Sequence, residues 1–141
     1  MNIIIVGCGR VGSGVALKMA DEGHSVTVID KNPLSFERLG ASEKVSTILG
    51  TGIDCDILES AGIREADALI AVTRGDNTNI MTAQIAKNIY KVPKAIARIV
   101  DPRVKGFYEK EMGLTCYCHT VVSSEHYIGM LKGEGIVCTS L

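Results

Sequence analysis

The sequence predicts an α/β fold: a doubly wound, parallel, six-stranded sheet in a single domain. Three observations lead there. Short, continuously apolar runs rich in β-branched residues alternate with segments of helical period from one end of the chain to the other. The first run stops in a glycine-rich turn that opens a helix. With 141 residues the chain is long enough for one self-sufficient core and too short for two.

Residues 2–6 form the first strand, halted by Gly7. In the helix that follows, Val11, Val15 and Met19 recur every four residues with Gly12, Ala16 and Ala20 beside them, a small-residue face suited to close contact with a sheet. Runs 25–29, 45–49, 68–72 and 95–100 repeat the first strand, and 115–122 is expected as the sixth. Unbroken apolarity, in place of alternation, marks parallel strands covered on both faces. A second long helix is read from Met81, Ile85 and Ile89, with Thr82 and Ala86 alongside and Asp76 as its cap. Shorter helices are expected at 33–39, 56–61 and 103–112, two of them beginning where a proline favours the first turn. Right-handed crossovers then give the strand order 3-2-1-4-5-6. The domain is expected to occupy residues 1–132, including a terminal helix, followed by a tail at 133–141.

Composition excludes several function classes. The chain is 46% hydrophobic and 22% charged, and 15 Lys plus Arg against 16 Asp plus Glu give a formal charge of -1, which argues against nucleic acid as a partner. No apolar run is long enough to span a bilayer, and the opening segment is too short and too glycine-broken for a signal peptide. The expectation is a cytoplasmic chain with no direct membrane insertion. Five cysteines, an odd number without secretory context, read as reduced thiols.

Gly7-Cys8-Gly9-Arg10-Val11-Gly12 fits G-x-G-x-x-G with a strand before it and a helix after it. Gly7 permits the tight turn, Gly9 clears the approach of a pyrophosphate to the backbone, and Gly12 lets the helix lie against the strand, a Rossmann-like arrangement. Helix N–H groups and the helix dipole then favour a phosphate. Arg10 sits in the turn as a candidate phosphate clamp. Asp30, followed by Lys31, ends the second strand, where an acceptor-only carboxylate suits ribose hydroxyls. A 2′-phosphate would meet Asp30 as a like charge, which favours NAD or another adenine nucleotide over NADP; Lys31 and Arg38 weaken that exclusion a little. Gly50-Thr51-Gly52, with Ile53 next to it, and Thr73-Arg74-Gly75 follow strands three and four, and are expected to flank adenine and pyrophosphate.

These residues resemble the Trk/Ktr-type potassium-transport regulators, in their nucleotide-binding KTN domain, also called the RCK N-terminal or TrkA-N domain. The segments that carry the likeness are IIIVGCGRVG, VTVID ending at Asp30, AGIREADALIAVTRGDNTNIMTAQIAK and AIARIVDP. The resemblance implies a non-enzymatic regulator that binds NAD(H), or alternatively ADP/ATP. It further implies a homo-oligomer, dimer or ring, at the inner face of the membrane, partnered with a membrane-embedded potassium transporter or channel subunit. On matching positions it makes Arg10 a phosphate contact, Asp30 the ribose acceptor, Thr73 and Asn79 contacts of the fourth-strand loop, and Arg98 a second phosphate-side cation. One departure stands out: where the family often has Gly-Asp after the third strand, this chain reads Gly50-Thr51. Two other readings stay open from the residues alone, an NAD-dependent oxidoreductase fragment and an adenine-nucleotide module unrelated to transport.

Other constellations point less far. Cys116-x-Cys118-His119 with Cys138 lacks zinc-finger spacing and is better read as core filling. Cys8, in the turn at a helix start, is a site where a thiol pKa can be lowered. Asp54 and Asp56 are expected to cap a helix, and no histidine has an acid spaced as its partner. Val121, Val122, Tyr127, Ile128 and Leu131 make the final segment apolar after the sheet is complete, which predicts that the last helix packs against a second copy.

Overall fold

Six strands pair side by side and all run the same way in the computed structural model, which describes residues 1–134. The strands are β1 (Asn2–Val6), β2 (Ser25–Asp30), β3 (Val45–Leu49), β4 (Ala68–Ala71), β5 (Lys94–Ile99) and β6 (Thr115–Cys118). Their order is β3-β2-β1-β4-β5-β6, as the crossover rule requires. Helices α1 (Arg10–Asp21), α2 (Cys55–Ser60), α3 (Asp76–Gln84), α4 (Pro102–Met112) and α5 (His119–Lys132) link or follow them. A 3₁₀ helix spans Pro33–Leu39, and α3 runs on into a π turn over Ile85–Ile89.

Each face of the sheet has its own core, which is why the strands read as unbroken apolar runs. Ile4, Val6, Leu69, Ala97 and Ile99 face Ile80, Ala83 and Ala86 of the α3 segment. Ile3, Ile5, Val26 and Val28 face Ala16 and Ala20 of α1 together with Leu39. Adjacent residues of one strand therefore enter opposite cores, and each fully buried Ile contributes roughly 2 to 3 kcal/mol of transfer free energy. The chain leaves β1 toward β2 and β3, then returns to the other side of β1 with β4, so a crevice opens at the carboxyl ends of β1 and β4.

Three local expectations are corrected. The sixth strand ends at Cys118, and 119–122 begin α5. Cys118 pairs with Ile99, the last residue of β5, so beyond it Val121 and Val122 have no neighbouring strand and their β preference is overridden. In α3 the inward residues are Asn79, Ile80, Thr82 and Ala83, whereas Met81 and Ile89 are exposed. The close approach to β4 and β5 selects the smaller set, and the π turn shifts the pattern after Gln84. Asp76 does not cap α3, whose N-cap is Gly75. Its carboxylate instead accepts from the amides of Val100, at 3.0 and 2.9 Å to its two oxygens, and Asp101, at 3.1 Å, tying the start of α3 to the end of β5.

Candidate functional site

The carboxyl ends of β1 to β4 open onto a cleft of about 450 Å³, within the range of small-molecule sites. Its floor is the turn Gly7–Gly9; its walls are Asp30 to Asn32 with Ser35 and Arg38 on one side, Gly50 to Gly52 at one end, and Thr73 to Gly75 with Thr78 opposite.

The three glycines of the turn differ in role. Gly7 has φ +108°, which side-chain-bearing residues rarely adopt, and a Cβ there would lie 2.9 Å from the Thr73 amide nitrogen. Its own N–H donates to Ile29 O at 2.7 Å. A Cβ on Gly12 would fall on the Gly7 carbonyl oxygen. Gly9 is different, since a Cβ there would meet nothing within 4 Å. Gly7 and Gly12 thus shape the turn, and Gly9 keeps open space above it.

Helix ends decide what that space attracts. Asp54 caps α2 and Asp101 caps α4, each accepting first-turn amides. The helices that start on the cleft, α1 and α3, have Gly9 and Gly75 as N-caps and no side-chain cap. Their first-turn N–H groups and positive dipole ends are left to an anion in the cleft.

Asp30 anchors the opposite wall. Its Oδ2 accepts from the Cys8 amide at 2.7 Å and its Oδ1 from the Asn32 amide at 2.8 Å, so one carboxylate fixes both the glycine turn and its own strand end. Each oxygen retains a lone pair for a ligand hydroxyl. Cys8 itself is buried, and burial first, with the Asp30 charge second, pushes its thiol pKa up despite Arg38. The expectation of a lowered pKa at this helix start is therefore corrected: the thiol faces core and carboxylate.

Asn79 and Arg98 stand behind the cleft. Asn79 has 0% exposure; its Oδ1 accepts from the Thr73 amide and hydroxyl, both at 2.8 Å, while its Nδ2 donates to Thr73 O at 3.1 Å and Arg98 O at 3.0 Å. Arg98 Nη2 donates to Thr73 O at 2.6 Å. Thr73 is held on both sides of its peptide by groups from α3 and β5, which gives that wall a fixed shape.

Of the residues singled out in the sequence, Gly7, Gly9, Asp30, Lys31, Thr51, Gly52 and Thr73 line the cleft. Gly12 lies buried beneath the turn, Arg10 and Val11 are exposed on the first turn of α1, and Ile53 is exposed beyond Gly52. Neither Asn79 nor Arg98 is among the lining residues. Sequence reasoning missed Asn32, Ser35 and Thr78 and gave Arg38 a minor part. A signal for three of them exists: Asn32, Ser35 and Arg38 recur every third residue, which on a 3₁₀ helix is a single side. Among the described residues no group of three or more His, Cys, Asp or Glu is placed to hold a metal; Cys116 and Cys118 are buried, and Cys138, like residues 135–141 of the expected tail, lies outside the described residues. No described helix is long and apolar enough to cross a membrane. On α5 only Gly129 is buried, and Leu131 is 88% exposed.

Comparison with known proteins places this geometry. Residues 3–124 match the family model of the TrkA-N domain. Over 110 residues the chain is 47% identical to the Trk system potassium uptake protein TrkA of Streptomyces coelicolor; the match covers 78% of this chain and 49% of that protein, so the chain spans about half the length of this relative. Among solved structures, the TrkA-N domain of the inner membrane protein ybaL from Escherichia coli aligns with a TM-score of 0.81 at 21% identity, over 92% of this chain and 96% of that one. The GsuK channel bound to NAD aligns with a TM-score of 0.67 at 18% identity, over 82% of this chain and 21% of the channel. These two likenesses are of fold.

Proposed function

Given that this chain belongs to the TrkA-N domain family, we propose that it is a nucleotide-sensing regulatory module of a potassium-uptake system, taking NAD(H) or, alternatively, ADP/ATP in the cleft above the glycine turn. The observation that carries this reading is the pair of side-chain-uncapped helix starts, α1 and α3, that meet on the cleft opposite the carboxylate of Asp30. An adenosine diphosphate group supplies what each end lacks: phosphates for the amides, hydroxyls for the carboxylate. Gly7, Gly9, Asp30, Lys31, Thr51, Gly52 and Thr73 would contact it directly. Arg10, exposed at the rim, would reach over the phosphates, while Asn79 and Arg98 would act by fixing Thr73.

The module works by binding alone. The titratable side chains on the cleft are Cys8, Asp30, Lys31, Arg38 and Arg74, and this set contains no poised acid and base flanking one point. Occupancy becomes a signal only if two conformations of the assembly bind the nucleotide differently, typically by about 1 to 3 kcal/mol. The exposed apolar side of α5 supports a homo-oligomer as the body that changes shape, and a membrane-embedded potassium transporter or channel subunit as the recipient, with this chain at the cytoplasmic face.

Thermal shifts with NAD, NADH, ADP, ATP, NADP and S-adenosylmethionine test the reading. A ligand at a hundred times its Kd stabilises by about 2.7 kcal/mol, or roughly 9 °C for a chain this size. NAD(H) or ADP/ATP should produce such a shift and S-adenosylmethionine should not; silence from every nucleotide would refute the sensor.

A further inference from the structure

We propose that the ribose end of the cleft is built for a phosphorylated sugar, with Lys31, Ser35 and Arg38 forming a wall that accepts a 2′-phosphate, so that NADP(H) binds at least as well as NAD(H). This rests on the cleft being an adenine-nucleotide site. Three observations carry it.

The first is direction. Ser35 and Arg38 lie three residues apart on the 3₁₀ helix Pro33–Leu39, where side chains at that spacing eclipse, and both line the cleft beside Lys31. The same stretch of lining holds Asp30, which puts Arg38 on the wall assigned to the ribose.

The second is unmatched charge. Five of the fifteen Lys and Arg, namely Lys18, Lys44, Arg64, Arg103 and Lys105, have a carboxylate partner, and the cations around the cleft, Arg10, Lys31, Arg38 and Arg74, are not among them. Lys31 and Arg38 make no hydrogen bond or ion pair with any described residue. The lining carries one carboxylate, Asp30, against Lys31, Arg38 and Arg74. A sugar bearing only hydroxyls would leave both ribose-end cations unused.

The third concerns Asp30, whose charge is the obvious objection. Both its oxygens already accept backbone amides, from Cys8 and Asn32, so its charge is directed into the turn and partly neutralised there. The Asn32 Oδ1 is likewise engaged, accepting from the Leu34 amide at 3.1 Å, which leaves its Nδ2 as a donor. A phosphomonoester at the 2′ position would meet one engaged carboxylate and two unpaired cations, with the Ser35 hydroxyl as a further donor.

Calorimetric titration of the 141-residue chain at 0.1 M salt, with NAD+, NADP+, AMP, adenosine 2′,5′-bisphosphate and adenosine 3′,5′-bisphosphate, decides the matter. NADP+ should bind no more weakly than NAD+. The 2′,5′-bisphosphate should bind at least about threefold more tightly than AMP. Arg38→Ala and Lys31→Ala should each lower the ratio of NADP+ to NAD+ affinity about tenfold, with a melting scan confirming that each variant is folded. If NAD+ binds and NADP+ binds measurably more weakly, or neither substitution moves the ratio, the phosphate wall is refuted while the nucleotide site stands. Preference for the 3′,5′-bisphosphate over the 2′,5′ isomer overturns the 2′ assignment. If none of the five compounds binds, both this inference and the reading beneath it fall.

Discussion

Replacing Gly9 and Gly12 by alanine, one at a time, places the same methyl group at two points three residues apart and should give opposite phenotypes. At Gly12 the new carbon falls on the Gly7 carbonyl oxygen and lies 3.2 Å from Val72 Cγ2. Because the obstacle is backbone, α1 must move off the sheet or the Gly7–Cys8 peptide must turn, and turning it breaks the 2.7 Å bond from Cys8 N to Asp30 Oδ2. Overpacking of this kind costs about 3 kcal/mol, offset by up to about 1 kcal/mol from the helix preference of alanine. For 141 residues the net loss of about 2 kcal/mol corresponds to a fall in Tm of roughly 7 °C. At Gly9 the methyl meets nothing within 4 Å and the backbone sits at φ -80°, so the poorer N-cap preference of alanine is largely offset by the reduced freedom of the unfolded chain, and the ligand-free Tm should change by less than about 3 °C. Binding should respond the other way, with Gly9→Ala weakening NAD(H) by about tenfold or more because the methyl occupies the approach of the phosphates. Differential scanning calorimetry without ligand and titration with NADH measure the two effects. A Gly9→Ala protein that binds NADH like the parent, or a Gly12→Ala protein that melts like it, would refute the division of labour within the turn.

Two further outcomes follow from the hydrogen bonds. Asn79→Ala removes the partner of the Thr73 amide and one partner each of Thr73 O and Arg98 O inside the protein, so stability should fall by about 2 to 4 kcal/mol, seen as a lower urea midpoint, by roughly 1 to 2 M, with an unchanged slope. An unshifted midpoint would show that water replaces the side chain. Asp101 is held down to a pKa of about 2, from 3.8, by the Arg103 side chain and then by the Arg103 amide it caps. Its folded value lies below the unfolded one, so its contribution to stability is present above about pH 4 and disappears as pH falls toward 2. Carboxyl NMR titration should place the Asp101 midpoint near 2 and move it upward in Arg103→Ala; an unmoved midpoint would assign the shift elsewhere.

Much of this structure was legible because it depends on short-range pattern. Unbroken apolar runs announced strands covered on both faces, and G-x-G-x-x-G between a strand and a helix announced the turn together with the acid that closes β2. What escaped depends on contacts between distant segments. Asp76 has the form of a cap, and only the nearness of the end of β5 turns it toward the amides of Val100 and Asp101. Asn79 has the polarity of a ligand contact, yet α3 points it into the protein to hold Thr73. Val121 and Val122 prefer strand and are helical because β5 has ended. The wall of Ser35 and Arg38 was hidden by period, since a search for 3.6 passes over a repeat of 3.0.

The placement of β1 at the middle of the sheet also bears on how the chain is made. β1 pairs with β2 on one side and β4 on the other, so both of its backbone edges are satisfied only when both strands are present. As the polypeptide emerges from the ribosome, β4 is completed about 65 residues after β1, some 3 to 13 s later at ordinary rates of synthesis. Throughout that interval one edge of this isoleucine-rich strand lacks its partner, so a nascent chain stalled ahead of Ala68 offers an adhesive edge to chaperones and to neighbouring copies.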